Sequence, residues 1–437
     1  MINASDFGSD FIWGVAVAAA QIEGASDLYG KGPSIWDTFS KKPGVACDFY
    51  HRYKDDIRLV KDLGFSIFRF SISWPRLIPF GTGGINSEGI RFYHDVIDEC
   101  LIHGIVPYVT LYHWDLPHAL EQEGGWTAFG INDAFNQFVL LCATEYGDKV
   151  KNWIVLNEPF GFTSLGYMLG IHAPGKTGVT NFFSAVHHTA IAQADGGRII
   201  RAEVNNANIG TTFSCSEVIP YTHSDQDLLA AKRIDSLMNR LFIEPLLGIG
   251  YPTADWELLE KFAIQHSTWR HTERMKFDYD FIGLQNYFPL TVKYNAFVPV
   301  IQAWEVKAKN RKKPHTMMGW EVNADSFYNV IKQFASYPGI KNLMITENGA
   351  AYKDLLTDSG NVHDAERIKY FELYLASLLK AKKEGFNISG YMAWTLMDNF
   401  EWAEGFKARF GLVYTDFKTQ QRTIKDSGYW FRDFLAR

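Results

Sequence analysis

Eight apolar, strand-like runs alternating with eight amphipathic segments predict an α/β chain closed into a single (β/α)8 TIM barrel over residues 1–437. Most runs are nearly continuous in apolar residues, as parallel strands buried on both faces should be. No Pro/Gly/Ser-rich linker, charge block or low-complexity stretch divides the chain. A length of 437 residues suits one such barrel, since insertions carry the fold beyond about 400 residues.

The strands are expected at 11–19, 65–73, 106–114, 152–158, 207–215, 280–288, 343–347 and 388–396. The first helical segment is the clearest: Tyr53, Ile57, Val60 and Leu63 recur at helical spacing, and Gly64 ends the pattern. Further helices are expected near 88–103, 132–147, 182–204, 225–247, 322–336, 364–384 and 423–436. The stretch 289–319 has no regular period and reads as an insertion after the sixth strand.

Composition narrows the function. A hydrophobic share of 47% with 21% charged residues gives a large core and excludes a disordered chain. A net charge of −6 and a pI near 6.1 leave no basic footprint for nucleic acid. No apolar stretch is long enough to span a bilayer, and the first residues lack a charged and apolar leader, so a cytoplasmic protein without membrane partners is expected. Cys47, Cys100, Cys142 and Cys215 are far apart and form no CxxC pair. His113 and His118 flank a proline, and His187 and His188 are adjacent, so no metal spacing is visible and no metal or cofactor is expected. Aromatic residues reach 15%, with 13 Trp and 21 Tyr. That is enough for a large core and also suits a carbohydrate site, where ring faces stack on sugars. The oligomeric state is open.

Two segments share one design. Ile154–Leu156 runs into Asn157-Glu158-Pro159, and Leu343–Ile345 runs into Thr346-Glu347-Asn348-Gly349. A strand that stops on a carboxylate presents it at the sheet edge, and two such carboxylates can serve as acid/base and nucleophile in glycoside hydrolysis. Other polar residues gather at the same strand ends: Gln21 and Glu23 after the first, Arg69 in the second, His113 and Trp114 on the third, Asn286 on the sixth and Trp394 on the eighth. The C-terminal face of a barrel is where catalytic residues sit. Arg69, alone among apolar neighbours, is too costly to bury without a carboxylate partner.

These residues fall within six motifs: FIWGVAVAAAQIEG over 11–24, FRFSISWPR over 68–76, TLYHWDLP over 110–117, NEP over 157–159, TENG over 346–349 and WTLMDNFEW over 394–402. In this order the chain resembles glycoside hydrolase family 1, the β-glucosidase family, nearly end to end. The resemblance implies retaining hydrolysis of β-glucosides, and also of β-galactosides or β-fucosides, with small glycosides or short β-linked oligosaccharides as substrates and no cofactor. It implies Glu347 as nucleophile, supported by Arg69 and Asn286, and Glu158 as acid/base. Gln21, His113, Trp114, Asn157, Glu401 and Trp402 would hold the sugar over Trp394, with Trp320 beside the aglycone. The family's Asn-Tyr-Tyr after the sixth strand has a second Tyr that anchors the nucleophile. Matched to Asn286-Tyr287-Phe288, it leaves Phe288 where that hydroxyl belongs and Tyr287 on the opposite face of a regular strand. Two alternatives stand beside this reading: a 6-phospho-β-glycosidase, which Glu401 disfavours by repelling phosphate, and a non-catalytic sugar-binding relative.

Overall fold

The computed structural model describes residues 2–253, 256–266 and 269–437. Eight parallel strands form one closed barrel: β1 (Ile12–Ala16), β2 (Ile67–Ser71), β3 (Val106–Tyr112), β4 (Asn152–Asn157), β5 (Asn208–Ser214), β6 (Phe281–Gln285), β7 (Leu343–Asn348) and β8 (Ile388–Trp394). Each pairs with its sequence neighbours, and β8 closes on β1. The main helices α1 (Phe49–Asp62), α2 (Ser87–Ile102), α3 (Ile131–Tyr146), α4 (Val179–Glu203), α5 (Asp225–Asp235), α6 (Ala324–Ala335), α7 (Ala365–Lys383) and α8 (Asp426–Leu435) alternate with the strands. Each expected strand and helix has its counterpart.

Local chemistry sets several boundaries. Asn86, Ser224 and Asn323 cap α2, α5 and α6 by accepting a backbone N–H from the first turn. On α1, Phe49, Ile57 and Val60 turn inward, which is the face their spacing marks out.

The interior is layered. Ile67, Tyr108, Ile154, Phe281, Met344 and Met392 fill the lower barrel as an apolar plug. Two residues further along these strands the layer turns polar: Arg69 Nε donates to Thr110 Oγ1 at 3.1 Å, and the Thr212 and Thr346 hydroxyls bond at 2.5 Å. Gly283 belongs to that layer, where a Cβ would lie 2.7 Å from both threonine hydroxyls. The barrel thus changes from hydrophobic support to polar site within one strand repeat.

Two departures from the expected pattern matter. The expected helix at 225–247 is α5 followed by a wide π-turn, Ser236–Arg240, and a short helix, Ile243–Leu246. Helices Glu257–His266 and Trp269–Met275 then precede β6 and had no counterpart in the sequence reading. The 289–319 insertion contributes strands Leu290–Tyr294 and Ala303–Glu305, which join Val218–Pro220 in a three-stranded sheet over the C-terminal end of the barrel. Among the described residues no helix is long and apolar enough to cross a membrane.

Candidate active site

The strand ends converge on a cavity of about 500 Å³, with Glu158 and Glu347 in its wall. A register irregularity precedes each carboxylate: between Ile154 and Asn157 against β5, and between Ile345 and Glu347 against β6. Such irregularities re-aim side chains beside active sites. Glu158 also adopts φ 45°, and Trp114 and Trp402 adopt φ 76° and 42°. Left-handed backbone at non-glycine residues costs of order 1–3 kcal/mol each, so three such residues around one cavity mark a place shaped for something besides stability.

Glu347 is buried and fully engaged. Its Oε1 accepts from Arg69 Nη1 at 2.6 Å and Gln285 Nε2 at 2.8 Å, and its Oε2 accepts from the Tyr287 hydroxyl at 2.7 Å. Burial raises its pKa, but Arg69, Tyr287 and Gln285 oppose that rise. Among the described residues, by contrast, no side chain hydrogen-bonds the Glu158 carboxyl. Burial, followed by the Glu347 and then the Glu401 charge, pushes Glu158 well above the usual carboxylate range. As pH rises, Glu347 therefore ionises first and Glu158 keeps its proton. Burial and the Glu347 carboxylate also hold the Tyr287 phenol well above its ordinary pKa, so it stays a donor.

The remaining residues form a network around this pair. Asn157 Oδ1 accepts from Arg69 at 2.5 Å and from Gln285 at 2.7 Å, which leaves its Nδ2 to donate to His113 Nε2 at 3.0 Å. Burial, then Arg69, keeps His113 neutral, and its proton rests on Nδ1, a buried atom without a protein partner. Gln21 donates to Phe400 O at 2.8 Å and Asn399 Oδ1 at 3.2 Å, while its Oε1 has no partner. Glu401 Oε2 is likewise unpartnered; burial and the Glu347 charge raise its pKa to about 8. Buried polar atoms left in this state cost free energy unless something binds them.

Of the expected residues, His113, Trp114, Trp320, Trp394, Glu401 and Trp402 line the cavity. Gln21, Asn157 and Arg69 are fully buried and are not among its lining residues. Trp320 stacks on Phe288 with centroids 4.8 Å apart and lies 5.4 Å from Tyr287.

Asn286 is a correction. Its side chain reaches neither the Glu347 carboxylate nor the cavity: its Nδ2 donates to Cys215 O at 2.8 Å, and only its backbone N–H meets Glu347 O, at 3.3 Å. Phe288 is the second correction, because Glu347 does not lack its hydroxyl. Both follow from one register slip. Phe281 and Gly283 point into the barrel, so alternation also sends Gln285 and Tyr287 inward and turns Asn286 away. Gln285 was thus missed and Tyr287 was turned to the wrong face, although counting parity from Phe281 finds both. Met238, Ile171, His172 and Glu305 also line the cavity. Ile171 and His172 come from a loop, Met238 from the π-turn Ser236–Arg240 and Glu305 from the end of the strand Ala303–Glu305, none of which has a period to betray it.

The family description "Glycosyl hydrolase family 1" matches residues 3–437. The chain belongs to that family. "Beta-glucosidase A" of Thermotoga maritima is 40% identical, covering 99% of this chain and 98% of its own. A "1,4-beta-D-glucan glucohydrolase" of Thermotoga neapolitana is 39% identical, with 98% of each chain covered. Among solved structures, a family 1 β-glucosidase from Thermotoga maritima superposes with a TM-score of 0.92 at 39% identity, over 98% of both chains. A β-glucosidase from that organism in complex with glucoimidazole superposes at 0.91 with 40% identity, again over 98% of both. This family 1 member is accordingly a glycoside hydrolase of the retaining β-glycosidase type. The β-glucosidase from Thermotoga maritima is also solved in complex with deoxynojirimycin, again with a TM-score of 0.92 at 39% identity.

Proposed function

We propose that the protein, acting as one catalytic domain, removes terminal non-reducing β-D-glucosyl residues from small β-glycosides or short β-linked oligosaccharides by double displacement. The observation that carries this reading is the unequal treatment of the two carboxylates. Glu347 accepts three hydrogen bonds, one from a guanidinium; Glu158 accepts none among the described residues and is kept protonated by burial and its anionic neighbour.

In the first step Glu347 attacks the anomeric carbon while Glu158 gives its proton to the departing oxygen. The glycosidic bond breaks as the bond to Glu347 forms. Glu158, now ionised, takes a proton from water, which attacks the anomeric carbon from the opposite face and frees Glu347. The unpartnered atoms Gln21 Oε1, His113 Nδ1 and Glu401 Oε2 are suited to the sugar hydroxyls, with Trp394 beneath the ring. Asn157 is assigned to the 2-hydroxyl, a contact that strengthens in the transition state.

A 6-phosphorylated substrate is disfavoured. No lysine or arginine lines the cavity among the described residues, and Glu305, Glu401 and Glu404 do. A cytoplasmic setting suits four free, buried cysteines; recovery of the native protein outside the cytoplasm on fractionation would contradict it.

The test is a panel of nitrophenyl β-D-glucoside, galactoside, fucoside and 6-phosphoglucoside with cello-oligosaccharides, the first product anomer being followed by NMR. Fastest turnover of the glucoside with β-glucose appearing first is expected. Early α-product, or preference for the phosphorylated substrate, overturns the reading.

A further inference from the structure

Three imidazoles that line no part of the catalytic cavity meet in the outer helical layer. His187 lies on α4, and His266 and His271 come from the helices Glu257–His266 and Trp269–Met275. One ring nitrogen from each lies within 4.8 Å of the other two. The His187 ring centroid is 4.2 Å from that of His266 and 4.9 Å from that of His271. Adjacent His187 and His188 suggested no metal spacing in the sequence, but folding separates their roles. His188 bonds Trp126 O through Nδ1 at 2.9 Å, while His187 faces the other two histidines.

We infer that His187, His266 and His271 bind one divalent transition-metal ion of the zinc type. Tyr251 fixes the tautomer. Its hydroxyl donates to Met275 Sδ at 3.2 Å, so its oxygen accepts from His187 Nδ1–H, also at 3.2 Å. That leaves the His187 Nε2 lone pair for the cluster, the arrangement by which a hydrogen bond behind a ligating histidine orients it. Tetrahedral zinc at about 2.0–2.1 Å from each nitrogen brings ligand nitrogens to about 3.4 Å from one another. His266 and His271 are half-buried on short peripheral helices, so closing from 4.8 Å needs a side-chain adjustment of about an ångström around a fixed His187. The nearby Arg274 does not compete with a cation, because Asp195 holds it through Nε at 2.9 Å and Nη2 at 2.6 Å. Water completes a three-histidine site on its open side. The ion adds a cross-link between α4 and the segment before β6, beside the Phe183–Phe262 ring contact and the Asp195–Arg274 pair that already join them.

The test uses the full-length protein after EDTA treatment and exchange. Titration with ZnCl2 should show one equivalent bound per chain, and CoCl2 should give the strong visible absorption of tetrahedral Co(II). At a hundredfold excess over Kd, zinc should raise Tm by about 3 °C. H266Q and H271Q alter half-buried residues outside the catalytic cavity and should fold. Each should weaken zinc binding at least about 100-fold and abolish the cobalt absorption, with kcat/KM on nitrophenyl glucoside unchanged. Failure of the native protein to bind zinc more tightly than about 100 µM overturns the inference, as does equal binding by the variants.

Discussion

Replacing Tyr287 with Phe removes one hydroxyl and keeps the ring against Trp320 and Phe410, 5.4 and 6.1 Å away. The lost contact is the 2.7 Å hydrogen bond to Glu347 Oε2. A hydrogen bond to a charged group contributes about 1.5–3 kcal/mol. Expressed wholly as a loss of transition-state stabilisation, that is about a tenfold to 150-fold fall in kcat/KM. The same bond favours the carboxylate over the carboxylic acid, so its removal raises the pKa of Glu347. At 1.36 kcal/mol per pH unit the ceiling is about 1–2 units. The acidic limb of kcat/KM, which follows ionisation of the nucleophile in the free enzyme, should move up in pH by up to that amount. Arg69 and Gln285 remain on Oε1, so activity should persist. Phe288→Tyr is the control: Phe288 stacks on Trp320, and a hydroxyl there should leave the limb in place. An unmoved acidic limb in Tyr287→Phe, or one shifted only by Phe288→Tyr, would refute the assignment of Tyr287 as the anchor.

Glu347→Ala should abolish turnover, and azide should restore formation of an α-glycosyl azide from activated glucosides; Glu158→Ala should accept dinitrophenyl glucoside and give the β-azide. Exchange of these stereochemical outcomes would exchange the two roles. Away from the site, Arg367 is fully buried and paired with Asp354 and Asp364, while Lys425 bridges Asp354 to Asp398. Arg367→Met leaves carboxylates short of a partner and should cost about 3–5 kcal/mol, a Tm loss of about 3–5 °C for a chain of this size. Calorimetry showing no loss would mean that Lys425 and Ser427 suffice for the carboxylates.

What could be read in the sequence follows from how far each signal reaches. Buried parallel strands announce themselves by apolar runs, so all eight barrel strands were legible, as were the helices whose inward face repeats regularly. Glu158 and Glu347 were legible because strand and breaker meet at them. The Asn286 error lies one step finer. The apolar run at 280–288 contains Gln285, Asn286 and Tyr287 in succession, and choosing the wrong one as inward reverses every side chain after it. Neither the irregularities before Asn157 and Glu347 nor the place of Met238, on the π-turn after α5, had a sequence signal, since both arise only when distant segments pack. The histidine cluster is the same case: 79 positions separate His187 from His266, and 84 separate it from His271.

The site and its scaffold divide two opposing demands. The Arg367–Asp354–Lys425–Asp398–Arg409 chain of charges holds Asp398 from both sides, and its carboxylate also accepts from Gly411 N. That fixes the turn between Trp394 and Glu401, which closes one side of the cavity, without drawing on any residue that faces the sugar. Within the cavity the reverse holds. Trp114, Glu158 and Trp402 have left-handed backbones, and Gln21 Oε1, His113 Nδ1 and Glu401 Oε2 are buried without protein partners. Each feature opposes folding, and each is held in place by rigid neighbours. A site satisfied by its own protein would have to break those contacts before meeting a sugar. One held unsatisfied gains its hydrogen bonds on binding. The ion network therefore contributes to catalysis indirectly, by holding a polar pocket in a geometry it would otherwise relax away from.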